Sequence, residues 1–164
     1  MFKKVALAAL MAAVVSTGAQ AGQLASGNFT VQATIAGSCT AVTPQSLFDF
    51  GLRPNGTSAD FDSTMTVDVT CTASLPYNLA VSKGQGNDDV FRTMKNGTNS
   101  LTYYLFTDSG RLNNLSSPTG GSSNWIGGVG TGSSQTLTIY GRIPTQPTPV
   151  AGVYTDTLQA TVIW

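Results

Sequence analysis

The 164-residue sequence carries 8 basic and 8 acidic residues, no histidine, and only 10% charged positions. Neither sign is clustered, which excludes the basic patch that a nucleic-acid or anionic-membrane partner needs. Every acid is an aspartate; with Glu absent, Lys scarce and Thr, Val, Tyr and Gly plentiful, the chain reads as β-rich, its polar surface built of Thr, Ser, Asn and Gly.

The chain opens on Met1, Phe2, Lys3 and Lys4, followed by an apolar run from Val5 to Val15 and then Ala19-Gln20-Ala21. A basic head, a short apolar middle and a small-x-small ending describe a secretory signal peptide over residues 1–21, with cleavage expected after Ala21. The alternative, a retained membrane anchor, meets the difficulty that the run is short for a bilayer. Cleavage would remove Lys3 and Lys4, leaving 6 basic groups against 8 acidic ones and a net charge of −2. The remainder, roughly 140 residues, suits a single exported domain with one core.

Residues 22–36 precede that domain as an extension. Within it, Gly27–Ile35 places Phe29, Val31, Ala33 and Ile35 on one face and Asn28, Thr30, Gln32 and Thr34 on the other. Alternation over that length is the pattern of a half-buried strand. It does not say whose core the strand is buried in: its own sandwich's, as a first strand, or a neighbour's.

Cys39 and Cys71 both lie in the exported part. An isolated pair in an oxidising compartment is expected to form one disulfide. The alternatives are two free thiols or a redox pair, but the sequence has no CxxC spacing or nearby basic group to lower a thiol pKa. With two thiols and no histidine, no metal or other cofactor site is expected.

Further along, Leu47-Phe48-Asp49-Phe50-Gly51 is a short apolar segment ending in a turn, and Arg53–Thr57 is loop. Met65, Val67, Val69 and Cys71 alternate with polar residues as a strand. Tyr77, Leu79 and Val81 begin another, and Val90–Met94 leads through the turn dipeptide Asn96-Gly97 into Leu101, Tyr103 and Leu105. Tyr104 and Phe106 make the other face of that last strand apolar too, as in a central strand or one covered by a loop. Ser109–Ser134 reads as a long surface excursion, with a short strand at Trp125 as an option. Leu137 and Ile139 mark the next strand, closed by Ile143-Pro144. The final strand is expected over Tyr154–Trp164, with Tyr154, Leu158, Ala160, Val162 and Trp164 on one face. Regular strand spacing and no helical period give an antiparallel β-sandwich of about six strands from Cys39 onward. An immunoglobulin-type sandwich needs about seven.

Phe29-x-Val31, Ile35 ahead of Cys39, Phe50-Gly51, Val69-x-Cys71, Pro76-Tyr77, Arg92-x-Met94, Leu101-x-Tyr103, Tyr140-Gly141-Arg142-Ile143-Pro144 and Gly152-x-Tyr154-x-Asp156 occur in that order. Together they resemble the spore coat protein U domain family, which includes subunits of archaic, Csu-type chaperone–usher pili. The resemblance covers essentially the whole exported chain and rests on the order and spacing of motifs that are each weak alone. It implies an incomplete immunoglobulin-like domain over residues 37–164 that lacks its last strand. It implies that Phe29, Val31, Ala33 and Ile35 form a donor strand for a neighbouring subunit, and that Cys39 and Cys71 form the intradomain disulfide. Tyr154, Leu158, Ala160, Val162 and Trp164 would line the acceptor groove and dock on the chaperone. The implied partners are identical or related subunits joined head-to-tail, a periplasmic chaperone and an outer-membrane usher. The chain would pass through the periplasm to a surface pilus and support adhesion and biofilm formation.

Other function classes have less to draw on. Without histidine there is no Ser–His or Cys–His nucleophile pair. Asp88 and Asp89 are adjacent, Asp49, Asp60, Asp62 and Asp108 are scattered, and no phosphate-cradling loop occurs, so no enzymatic activity is expected. A carbohydrate-binding adhesin would use an aromatic platform, for which Tyr103, Tyr104 and Trp125 are the candidates, although aromatics in a sandwich more often serve the core. A secreted coat or matrix protein that never enters an usher-built pilus is the third reading.

Overall fold

The computed structural model describes residues 27–44, 47–54, 58–121, 123–147 and 149–164. The expected signal peptide lies outside the described residues, as do residues 22–26 of the extension. The chain falls into two compact units, Met1–Thr34 and Ile35–Trp164. The described part of the first unit, residues 27–34, carries no regular secondary structure and is exposed throughout.

The second unit is all β apart from one 3₁₀ turn at Gly84–Gly86 among the described residues. Its strands are β1 (Cys39–Pro44), β2 (Phe61–Cys71), β3 (Pro76–Val81), β4 (Arg92–Asn96), β5 (Asn99–Phe106), β6 (Ile126–Val129), β7 (Ser134–Ile143) and β8 (Ala160–Ile163). They form a five-stranded antiparallel sheet in the order β1-β2-β7-β5-β4 and a three-stranded one in the order β6-β3-β8. The spine is the β2–β7 pair, whose ten-residue register runs from Phe61↔Ile143 to Thr70↔Ser134. Its alternation puts Val67, Val69 and Ile139 in the core and leaves Asp62, Thr64 and Arg142 on the outer face. From the smaller sheet, Tyr77, Leu79, Val81 and Val162 pack against them.

Three expectations need correction. The described residues hold eight strands in the sandwich instead of about six, because β1 (CTAVTP) and the four-residue β6 (IGGV) lack a clear apolar–polar alternation. The segment Ser109–Ser134 is no mere surface excursion. Leu115, Ser116 and Ser117 are buried, the Leu115 amide donates to the Leu105 carbonyl, the Ser116 carbonyl accepts from the Val81 amide, and Ile126–Val129 pairs with β3. Its small polar residues pass through the interior because their backbone groups find sheet partners there. The hairpin β4–β5 closes on Gly97-Thr98, since Asn96 pairs with Asn99; Gly97, at φ 57°, occupies the first turn position, where glycine meets no steric cost.

β5 is both central and covered. It lies between β7 and β4, and its outward Phe106 is shielded by the returning loop, which bridges at Asn114. That loop brings Arg111 over the Tyr140 ring (5.8 Å to the centroid) and within 3.3 Å of Asp62. Arg142 grips Asp62 with both Nε (2.7 Å) and Nη2 (2.9 Å). The hydrogen bonds from Arg142, opposed by desolvation and helped by the charge of Arg111, hold the Asp62 carboxyl below the usual aspartate range. A carboxyl depressed in the folded state stabilises fully above its unfolded pKa, and that stabilisation is lost as pH falls through the folded value. We expect acid unfolding to begin as pH drops below about 4. Asp62→Asn should flatten that slope while leaving stability at high salt little changed, because the pair is a third exposed and screened. Thermal melts between pH 2 and 7 check this; identical slopes for the two proteins would refute it.

Candidate functional site

The three-stranded sheet is narrower than the sheet it faces, and the uncovered part of the larger sheet's inner face is a groove of about 460 Å³. Its floor is made by Met65, Val67, Leu105 and Ile139 from β2, β5 and β7. Pro44, the last residue of β1, stands on one rim; Tyr154, Leu158 and Ala160 form the other wall. Two strand edges therefore flank the opening. β1 has β2 as its sole ladder neighbour among the described residues, and β8 has only β3. A sandwich with core side chains and backbone edges open in one place is a template for another strand.

The sequence-predicted wall residues divide into three groups. Tyr154, Leu158 and Ala160 line the groove; Val162 is buried in the core opposite Leu79; Trp164 is mostly exposed, at 59%. Strand structure covers only Ala160–Ile163 of the expected Tyr154–Trp164. The earlier part crosses between the sheets, bridging to β4 at Lys95↔Thr155 before joining β3, so it has no continuous ladder partner. Cys39 and Cys71 are disulfide-bonded and opposite each other in the β1–β2 register, which ties the rim strand to the spine.

Phe29, Val31 and Ile35 are 86%, 83% and 81% exposed, and Ala33 is exposed with them. Among the described residues no strand ladder includes Gly27–Ile35. Three large apolar side chains facing solvent at that spacing are costly to leave uncovered, by about 1.5–3 kcal/mol each.

Phe48, Phe50 and Tyr103, which the sequence reading did not place in the groove, line it, and Arg92 is buried in the core beside it. Phe48 and Phe50 stack with ring centroids 5.0 Å apart, and Phe50 meets Tyr103 edge-on at 6.0 Å. Their rings lie across β7 at Gly141, where a Cβ would come within 2.5 Å of Phe48 and 2.8 Å of Phe50. That close approach is the physical reason for a glycine in Tyr140-Gly141-Arg142, and the spacing Phe48-x-Phe50 was its available signal. Arg92 is fully buried at the start of β4. Its Nε donates to the Ser82 carbonyl (2.9 Å), and its Nη2 donates to the carbonyls of Val81 (2.8 Å) and Leu115 (3.0 Å). Burial pulls its pKa down, offset by Tyr103 and by Asp89, Asp156 and Asp88. Tyr103, its cross-strand partner, donates its hydroxyl to Asp156 Oδ2 at 2.6 Å. Burial first and then Asp156 push the Tyr103 hydroxyl well above its usual value, so it stays a donor.

The proposed aromatic platform does not exist as one surface. Tyr103 points into the core, Tyr104 points to the outer face of the larger sheet and stacks on Phe106, and Trp125 precedes the smaller sheet with its indole N–H on the Ser117 carbonyl. Adjacent strand residues face opposite sides, so Tyr103 and Tyr104 cannot share a platform.

The family model for the Spore Coat Protein U domain matches residues 25–161. The chain belongs to the Spore Coat Protein U domain family. The matched span takes in the exposed apolar stretch and the grooved sandwich as far as the second residue of β8. Among solved structures, this Spore Coat Protein U domain is similar to a chain in the crystal structure of the CsuC–CsuE chaperone–tip adhesion subunit pre-assembly complex from archaic chaperone-usher Csu pili of Acinetobacter baumannii. The likeness has 21% identity and a TM-score of 0.49, and covers 80% of this chain. The chain spans about 40% of the length of that structure's chain. No curated protein matches it.

Proposed function

We propose that this chain is a structural subunit of a surface pilus, assembled by donor-strand exchange through a periplasmic chaperone and an outer-membrane usher. The observation that carries the reading is complementarity within one chain. Among the described residues it has an apolar groove between two open sheet edges, and an exposed stretch outside any ladder whose apolar side chains repeat every second residue. A strand laid in such a groove satisfies backbone groups by pairing and sets its register by alternate side chains. In this reading Phe29, Val31, Ala33 and Ile35 of one subunit fill the groove of the next. The contact joins two different surfaces, so it propagates an open filament. Burial of three large apolar side chains favours it by a gross five to ten kcal/mol or so before ordering costs.

The remaining assignments follow from that reading. Residues 1–21 direct export, residues 22–36 are the donor extension, and residues 37–164 are the acceptor domain, which the chaperone occupies at the Tyr154–Trp164 side until the usher exchanges it. The product is a cell-surface fibre that serves adhesion and biofilm formation, with no enzymatic role. Deleting residues 22–35 is expected to abolish filaments while leaving an exported domain that still folds when a strand is supplied. Electron microscopy of cells expressing the full-length or shortened chain tests this. Filaments of normal length from the shortened chain would overturn the proposal.

A further inference from the structure

The motif Gly152-x-Tyr154-x-Asp156 ends on a carboxylate beside an apolar groove, where a charge needs an explanation. Asp156 Oδ2 accepts the Tyr103 hydroxyl at 2.6 Å, and its Oδ1 accepts the backbone amides of Gln85 and Thr157, both at 2.8 Å. The Gln85 side chain returns the contact, donating Nε2–H to the Thr155 carbonyl at 3.1 Å. Gly84, at φ 67°, leaves the space that the carboxylate occupies, since a Cβ there would run into Asp156. The segment so gripped is the part of the groove wall that lacks a continuous ladder, between the single bridge at Thr155 and the start of β8 at Ala160. Tyr103, Asp156, Leu158 and Ala160 all line the groove.

An incoming strand gains most from a wall whose backbone already stands in register, because ordering it at the moment of binding subtracts from affinity. We propose that Asp156, clamped by Tyr103 and the Gly84–Gln85 turn, is the positioning residue of the strand-accepting wall, so that a subunit without the clamp still donates its N-terminal stretch to a second copy but no longer accepts one. This rests on the pilus reading. The occupant is residues 27–35 of another copy of this chain, the exposed apolar stretch that no ladder among the described residues includes. The clamp belongs to the accepting end of a subunit alone, so it distinguishes that end from the donating one.

The test uses full-length chain made unable to donate by Phe29→Asp, Val31→Asp and Ile35→Asp. Binding of a labelled synthetic peptide of residues 22–36 is followed by fluorescence polarisation. Adding Tyr103→Phe, which keeps the ring, or Asp156→Ala should weaken peptide binding about tenfold or more, as loss of a charge-assisted hydrogen bond does. The same two substitutions in chain with an intact donor stretch should still cap the growing end of wild-type filaments. If the background chain binds no peptide, the pilus reading fails and takes this inference with it. Peptide affinity unchanged by the substitutions overturns the clamp alone. Loss of donation together with acceptance overturns it too, by showing a general structural role.

Discussion

Replacing Arg92 by methionine is expected to destabilise the sandwich by about 3 kcal/mol, the largest effect we anticipate from a single substitution. The guanidinium lies in the core and serves the carbonyls of Val81, Ser82 and Leu115, which belong to the end of β3 and to the buried part of the long β5–β6 connection. Taking away the donor leaves each carbonyl short of a partner, at about 1–3 kcal/mol apiece. Removing a buried charge returns part of that, since its desolvation cost disappears. Methionine fills most of the volume, which keeps the cavity contribution small. Arg92→Lys should fall between the two, because an ammonium on a flexible stem cannot reach three carbonyls in the directions that the planar fork does. Urea titration of residues 22–164, with the groove filled by an added peptide of residues 22–36, measures the difference. A loss below about 1 kcal/mol for the methionine variant would show that the fork is not what joins these elements.

Replacing Cys39 and Cys71 together by serine should cost about 3–4 kcal/mol on the chain-entropy account, given the separation of 32 residues. The consequence is local as well as global. Among the described residues β1 has a ladder with β2 alone, and that ladder breaks register between Cys39 and Ala41, so the disulfide secures the strand where its ladder is weakest. β1 also carries Pro44 on the groove rim. The double variant should therefore melt on the order of 10 °C lower, and it should bind a donor peptide less well even at temperatures where it remains folded. Calorimetry and peptide binding under oxidising and reducing conditions separate the two effects. A reduced wild-type protein with unchanged melting and unchanged binding would remove the argument.

Period-two alternation was sufficient to locate β2, β5 and β7, because each buries one face against a core, and burial selects Val67, Val69, Leu105 and Ile139 without reference to what lies across from them. Alternation also marked Gly27–Ile35, and the motif order pointed to the family that the domain match then showed. The pairing of Cys39 with Cys71 followed from the expectation of an oxidising compartment and the absence of other thiols. These are local properties: they depend on the chemistry of a segment and its immediate neighbours in sequence.

Tertiary structure decided the rest. Nothing local distinguishes Leu115-Ser116-Ser117 from an exposed loop, since it is held inside by backbone hydrogen bonds with Leu105 and Val81, which belong to two other strands. Arg92 looks like a surface residue until carbonyls from two other elements close around it. The aromatic candidates separated because adjacent residues on a strand face opposite ways. The groove exists because a three-stranded sheet faces a five-stranded one, and the number of strands on each side is a property of the assembled fold and not of any single segment. Tyr154–Gln159 carries a strand's alternation, yet it crosses between the sheets, because a ladder requires a partner and alternation alone cannot supply one.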